Sequence, residues 1–144
     1  MRVLIVDDLP DIAEVLSAMI ELSRPDWSVM ALSCAGDVLS VAAHCRPDAV
    51  IIDLAMPGIS GLELAKRLRT HFGEGVALIA YTGVTDPSTL QQTRSLMDAI
   101  VLKPTSTEEL LIAVQDAWED RQIRARTGAR APAASAARPE DPPA

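Results

Sequence analysis

Three features of the sequence predict an α/β fold, a doubly wound parallel sheet with helices on both faces. Short apolar runs rich in β-branched residues recur at 2–6, 27–32, 49–52, 76–81 and 99–102. Between them lie segments with apolar residues at helical spacing, several opened by a proline or a capping residue. The connections are too short for intervening hairpins, so five strands and five helices alternate as βαβ units, and right-handed crossovers carry helices to both sides.

The first strand, Arg2-Val3-Leu4-Ile5-Val6, stops on Asp7-Asp8. Pro10 suits a first helical turn, and Ile12, Val15, Leu16, Met19 and Leu22 continue at helical spacing until Pro25. Trp27 to Leu32 forms a second strand with nothing notable at its end, and Gly36 to Cys45 a second helix stopped by Pro47. Ala49-Val50-Ile51-Ile52 is an unbroken apolar run, the mark of an interior strand covered on both faces, and it meets Asp53 before a Pro57-Gly58 turn. Ser60 then caps a helix in which Leu62, Leu64, Ala65 and Leu68 alternate with charged residues, ended by Gly73 and Gly75. Val76 to Tyr81 is the fourth strand, ending on Thr82-Gly83. Asp86-Pro87 opens a polar helix to about Ser95, weakly held on the face of Gln91, Gln92 and Arg94. Ala99 to Leu102 ends on Lys103-Pro104, and Ser106 or Thr107 before Glu108-Glu109 caps an amphipathic helix through about Ala125.

With 144 residues, 49% of them apolar, the chain suffices for one domain with an aliphatic core and not for two. Residues 1–125 are read as that domain. Residues 126–144, an Ala/Pro/Arg-rich stretch, are read as a flexible tail with the composition of a linker. The longest apolar run, Val76 to Tyr81, is far short of a membrane span, and Asp7 interrupts the N-terminal run too early for a signal peptide. The expectation is a cytoplasmic protein with no membrane contact. Cys34 and Cys45 make no metal-ligand spacing with His44 or His71 and are read as ordinary thiols. Residues 1–120 carry 18 acids against 8 bases, which argues against nucleic acid as a partner. Arg121, Arg124, Arg126, Arg130 and Arg138 are assigned to solvating the last helix and the tail, and Trp27 and Trp118 to packing.

Chemistry collects where strands end, because open parallel sheets bind ligands outside their carboxyl edge. Asp7-Asp8, Asp53, Thr82 and Lys103 all stand there. Three converging carboxylates repel one another unless a cation neutralises them. Mg2+ suits such oxygen donors and keeps sites for waters and a phosphate, and Mn2+ would accept the same donors. Asp53, on the most buried strand, is the candidate nucleophile, since a carboxylate can form an acyl phosphate. Asp7 and Asp8 would hold the metal. Thr82 would hydrogen-bond a phosphoryl oxygen with Gly83 leaving room, Lys103 would pair with another, and Pro104 would fix the backbone that follows.

These residues, together with Met56-Pro57-Gly58 and Gly61 after Asp53, resemble the receiver domain of two-component response regulators over roughly residues 1–124. The resemblance implies a flavodoxin-like sheet of order 2-1-3-4-5. It implies that Asp53 accepts a phosphoryl group from a sensor histidine kinase or phosphotransfer protein, the domain catalysing its own aspartyl phosphorylation and dephosphorylation without being an enzyme in the ordinary sense. The metal would be held by Asp8, Asp53 and the backbone carbonyl of Ala55, with Asp7 acting through water. The Lys103-Pro104 peptide is expected to be cis. Phosphorylation would draw in Thr82 and rearrange the surface of helix four, strand five and helix five, where a downstream effector or a second copy could dock.

This chain departs from the family pattern in four places. Ile100 stands where the family often has an inward-turning aromatic; Tyr81, next to Thr82, could substitute, but a tyrosine packed in the sheet is the preferred reading. Leu96-Met97 replaces a small Gly-Ala sequence, which predicts an altered loop and an apolar contact patch. Ala55 and Val84 flank the position of an attacking water and cannot orient it, so other groups would set the phosphoryl lifetime. The expected function is a stand-alone receiver that switches protein association. The alternatives are a degenerate, non-phosphorylated receiver acting as a binding module, or a haloacid dehalogenase-type phosphohydrolase. That second family takes its nucleophile from strand one with another aspartate two residues later, where this chain has Leu9 after Asp8.

Overall fold

The computed structural model describes residues 1–127, which build a single five-stranded parallel sheet with helices on both faces. In chain order the elements are β1 (Arg2–Val6), α1 (Pro10–Ser23), β2 (Ser28–Leu32), α2 (Val38–Cys45), β3 (Ala49–Ile52), α3 (Gly61–Phe72), β4 (Ala77–Thr82), α4 (Pro87–Leu96), β5 (Ala99–Leu102) and α5 (Thr107–Thr127). The strand order is β2-β1-β3-β4-β5, the flavodoxin-like arrangement. Because β1 lies inside β2, the winding reverses between β1 and β3, and such a switch point opens a crevice at the carboxyl ends of those strands.

Strand alternation splits the core in two. Even-numbered strand residues, including Leu4, Val6, Val50, Ile52, Leu78 and Ala80, pack against α2, α3 and the end of α4. Odd-numbered ones, including Val3, Ile5, Ile51 and Ile79, pack against α1 and α5 through Leu16, Ile20, Leu110, Leu111 and Val114. All four residues of β3 are buried, which is why that strand reads as an uninterrupted apolar run.

Caps and turns follow the sequence chemistry. Ser60 Oγ accepts from Glu63 N–H (3.2 Å) at the start of α3, and Asp86 accepts from Thr89 N–H (2.9 Å) at the start of α4. Ser106 and Glu109 form a reciprocal capping box at α5. At the opposite edge of the sheet from the crevice, Asp98 ties three elements together. It accepts from Leu78 N–H (2.8 Å) and Arg69 (3.2 Å) and pairs with Arg121 (2.6 Å), which also pairs with Glu74. Burial pushes the Asp98 carboxyl up, against the opposing pull of the Leu78 N–H and then Arg69. Burial, with Arg69 and Arg124 alongside, pushes the Arg121 guanidinium down to about 10, so it stays charged at neutral pH.

The structure moves several predicted boundaries. Trp27 precedes β2, since pairing with β1 begins at Arg2 opposite Ser28, and its buried ring lies beneath Arg24 in the α1/α5 core. Gly36 belongs to a 3₁₀ turn, and α2 starts at Val38. Thr82 closes β4 rather than following it. Helix α5 runs to Thr127, two residues into the predicted tail, with Arg124 and Arg126 in its last turn where the helix dipole favours cations. The rest of that tail lies outside the described residues. Cys34 is exposed and Cys45 half-buried, and both are free. Among the described residues no helix is long and apolar enough to cross a membrane.

Candidate functional site

The sheet's hydrogen-bond ladder continues one residue past the strands, and this fixes the backbone of the site. Asp7 N–H donates to the Leu32 carbonyl (3.1 Å), Asp53 N–H to Val6 (3.0 Å) and Lys103 N–H to Thr82 (2.8 Å). Three of the predicted residues are thereby anchored to strands adjacent to their own. Two carboxylates are oriented in turn by the loops they begin, Asp7 Oδ1 accepting from Leu9 N–H (3.0 Å) and Asp53 Oδ1 from Ala55 N–H (3.1 Å).

One carboxylate oxygen from each of Asp7, Asp8 and Asp53 lies within 4.8 Å of the other two. The Lys103 ammonium is 3.4 Å from Asp7 Oδ2 and 3.8 Å from Asp53 Oδ2. Three negative charges thus face one positive charge. At an effective dielectric constant of about 20, like charges at such separations repel by roughly 3–4 kcal/mol per pair. One lysine cannot balance that. A hard divalent cation fits the donor set, which consists of oxygens alone.

Thr82 is fully buried, and its hydroxyl accepts from Val84 N–H (3.1 Å). Ala55 is exposed in the loop that leads from Asp53 to the Pro57-Gly58 turn, where Gly58 takes a φ of 76°. Pro104 follows a cis peptide bond from Lys103. Ile100 is half-buried on the α2/α3/α4 side, and Tyr81 packs on the other side with the α1/α5 core. A side chain on the opposite face of the sheet cannot replace an aromatic at position 100, so Tyr81 does not fill that role. Met97 is buried and Leu96 packs against the same cluster, so this pair feeds the core instead of forming a surface patch.

Two contributors escaped the sequence reading. The Lys103 ammonium sits over the Tyr81 ring, 5.1 Å from its centroid. The signal was available in the strand register, because Tyr81 pairs with Val101 and Lys103 is the next residue on that face. Gly61 had been noted only as part of a motif. A Cβ there would lie 2.5 Å from the Asp53 carbonyl oxygen and 2.6 Å from Leu54 Cα, so α3 can approach the Asp53 loop only through glycine.

Comparison with known families gives a match to the response regulator receiver domain over residues 3–115. The chain belongs to that family. The receiver is 31% identical over 115 residues to the DNA-binding response regulator MtrA of Mycolicibacterium smegmatis, covering 79% of this chain and 49% of that protein. It is 32% identical over 121 residues to the CAI-1 autoinducer sensor kinase/phosphatase CqsS of Vibrio cholerae, covering 81% of this chain and 17% of that one. Among solved structures, the chemotaxis protein CheY4 of Vibrio cholerae superposes with a TM-score of 0.72 at 26% identity, covering 81% of this chain and 97% of that one. The chain therefore spans about half the length of the MtrA relative. A relative described as DNA-binding lends no support to an absence of nucleic acid, nor does its greater length support a receiver that stands alone. Receiver domains bind Mg2+ at an acidic cluster and interact with histidine kinases, and the group formed by Asp7, Asp8 and Asp53 is such a cluster here.

Proposed function

We propose that this receiver takes a phosphoryl group onto Asp53 from a phosphohistidine of a sensor kinase or phosphotransfer protein, and that the modification switches its association with a downstream effector. The observation that carries the reading is the meeting of the Asp53 carboxylate with Asp7, Asp8 and Lys103, with Thr82 buried at the end of the adjacent strand β4. In the transfer, an Asp53 carboxylate oxygen attacks phosphorus. The phosphorus–nitrogen bond breaks, its electron pair stays on the imidazole nitrogen, and that nitrogen takes up a proton from solvent. A divalent cation held by Asp8, Asp53 and the Ala55 carbonyl, with Asp7 nearby, would supply charge neutralisation for the phosphoryl oxygens.

The chain's own residues do the rest. Lys103 supplies a compact positive charge beside Asp53, and the Thr82 hydroxyl, which accepts from Val84 N–H, can turn its O–H to donate to a phosphoryl oxygen. Thr82 and Ile100 lie on the face covered by α2, α3 and α4, so a shift of the hydroxyl is passed toward α4 and β5 through aliphatic packing instead of an aromatic. Self-catalysed modification of this kind makes the domain a signalling module and not an enzyme with turnover, and a cytoplasmic location is part of the same proposal. Dimerisation on the α4–β5–α5 face would belong to the same switch.

Intact-mass measurement after incubation with a small-molecule phosphodonor and Mg2+ tests the reading. Wild type gains one phosphoryl adduct that is absent without metal, and Asp53→Ala gains none. An adduct persisting on Asp53→Ala, or none on wild type under conditions that label other receivers, sinks the mechanism. A degenerate receiver gives neither adduct nor metal dependence.

A further inference from the structure

We propose that Tyr81 is a positioning residue for Lys103, its ring face holding the ammonium at the acidic cluster where the phosphoryl group arrives, a role that rests on Asp53 being the phosphoacceptor. Lys103 has a flexible four-carbon stem, and its side chain is 30% exposed. Its two carboxylate partners are 3.4 and 3.8 Å away, long for charge-assisted hydrogen bonds. Both partners also change during the reaction, because Asp53 becomes an acyl phosphate and the cluster takes a cation. The Tyr81 ring changes in neither step. It attracts the ammonium through its quadrupole without neutralising it and makes no claim on the N–H donors that a phosphoryl oxygen needs.

The ring is itself fixed. Tyr81 lies in β4, paired with Val101 of β5, and packs with Ala99 and Val101 against the α1/α5 core. Lys103 leaves β5 on the same face of the sheet, so ring and stem run side by side from strands that hydrogen-bond to each other. Leucine can fill much of the ring's volume there but offers no negative face. Phenylalanine offers nearly the same face. Restricting a catalytic group to its productive position is a recognised source of rate, so loosening it should lower the rate with the chemistry otherwise intact.

The experiment compares wild type, Tyr81→Phe and Tyr81→Leu in three measurements. Labelling of Asp53 by a saturating small-molecule phosphodonor should be unchanged in Tyr81→Phe and roughly threefold slower in Tyr81→Leu, the scale of a partly exposed cation–π contact. Mg2+ affinity measured by calorimetry should be the same in Tyr81→Phe and no weaker in Tyr81→Leu, where a freed ammonium competes less with the metal for Asp7 and Asp53, whereas a general loosening of the sheet would move both carboxylates and weaken it. The chain has only two lysines, Lys66 and Lys103, so lysine-labelled protein shows two ε-methylene NMR signals, and Lys103→Arg assigns them. The Lys103 signal should be ring-shifted in wild type and Tyr81→Phe and should lose that shift in Tyr81→Leu. Equal labelling rates in Tyr81→Leu and Tyr81→Phe, or a Lys103 signal indifferent to both changes, overturns the role while leaving the phosphoacceptor reading intact. Failure of wild type to be labelled at all overturns both.

Discussion

At Gly61 the site tolerates no side chain, which makes it the residue where fold and chemistry are hardest to separate. The hypothetical Cβ contacts of 2.5 and 2.6 Å are to backbone atoms of Asp53 and Leu54, which cannot swing aside as a flexible side chain could. Gly61→Ala must therefore push the first turn of α3 away from the loop that orients Asp53. Overpacking of this kind costs about 1–3 kcal/mol, to be read from urea unfolding, and labelling of Asp53 should slow with it. Gly58 separates the two effects of glycine at this loop. Nothing lies within 4 Å of a Cβ there, but its φ of 76° penalises any side chain, so Gly58→Ala should lose only about 1–2 kcal/mol and label nearly normally. A Gly61→Ala variant as stable as wild type would show that α3 can retreat freely, and that the glycine is not what seats the loop.

Helix α4 buries the fewest residues of the five described α-helices, and the reason is visible in its composition. Thr93 is its one buried residue, and Gln91, Gln92 and Arg94 are all exposed, as the sequence suggested. Its start depends on Asp86, whose carboxylate is held below the ordinary value first by the Thr89 N–H and then by the Thr89 hydroxyl. A lowered folded value means that the cap's contribution is present above the unfolded carboxylate value of about 3.9 and is lost as pH falls through the folded one. Asparagine caps as well as aspartate but does not titrate. Amide protection factors in α4, taken against the intrinsic exchange rate at each pH, should therefore fall below about pH 4 in wild type and much less in Asp86→Asn. Identical acid dependence in both proteins would show that α4 does not hang on this cap. The same contrast explains what could be read in advance. The unbroken apolar run of β3, the helical period of α3 and the caps carried by Ser60, Asp86 and Ser106 were legible because each pattern has one physical use there. Those that depend on partners distant in sequence were not. Trp27 lacks a strand partner, Tyr81 shares a face with Lys103, and α5 runs past Ala125 into its arginines, none of which a local pattern displays.

For the whole molecule, the order β2-β1-β3-β4-β5 brings to one edge residues from positions 7 to 103, and it brings them there with unbalanced charge. The carboxylates of Asp7, Asp8 and Asp53 were predictable as strand-end residues, but their separation within 4.8 Å exists only once β1 and β3 are neighbours. The unfolded chain has no such cluster, so a cation that binds it must stabilise the fold. At a free concentration one hundredfold above its dissociation constant the gain is about 2.7 kcal/mol, enough to raise Tm by several degrees in a domain of this size. Mg2+ should therefore raise Tm, and a chelator should return it to the metal-free value. Asp8→Asn should abolish the increment while raising the metal-free Tm, because it removes one of the three mutually repelling charges. The opposite signs matter, since a variant that merely damaged the fold would lower both values. A Tm indifferent to Mg2+ would show that the fold brings the acidic cluster together for some purpose other than a metal, and an Asp8→Asn protein that responds as wild type does would show that the cation is held without Asp8.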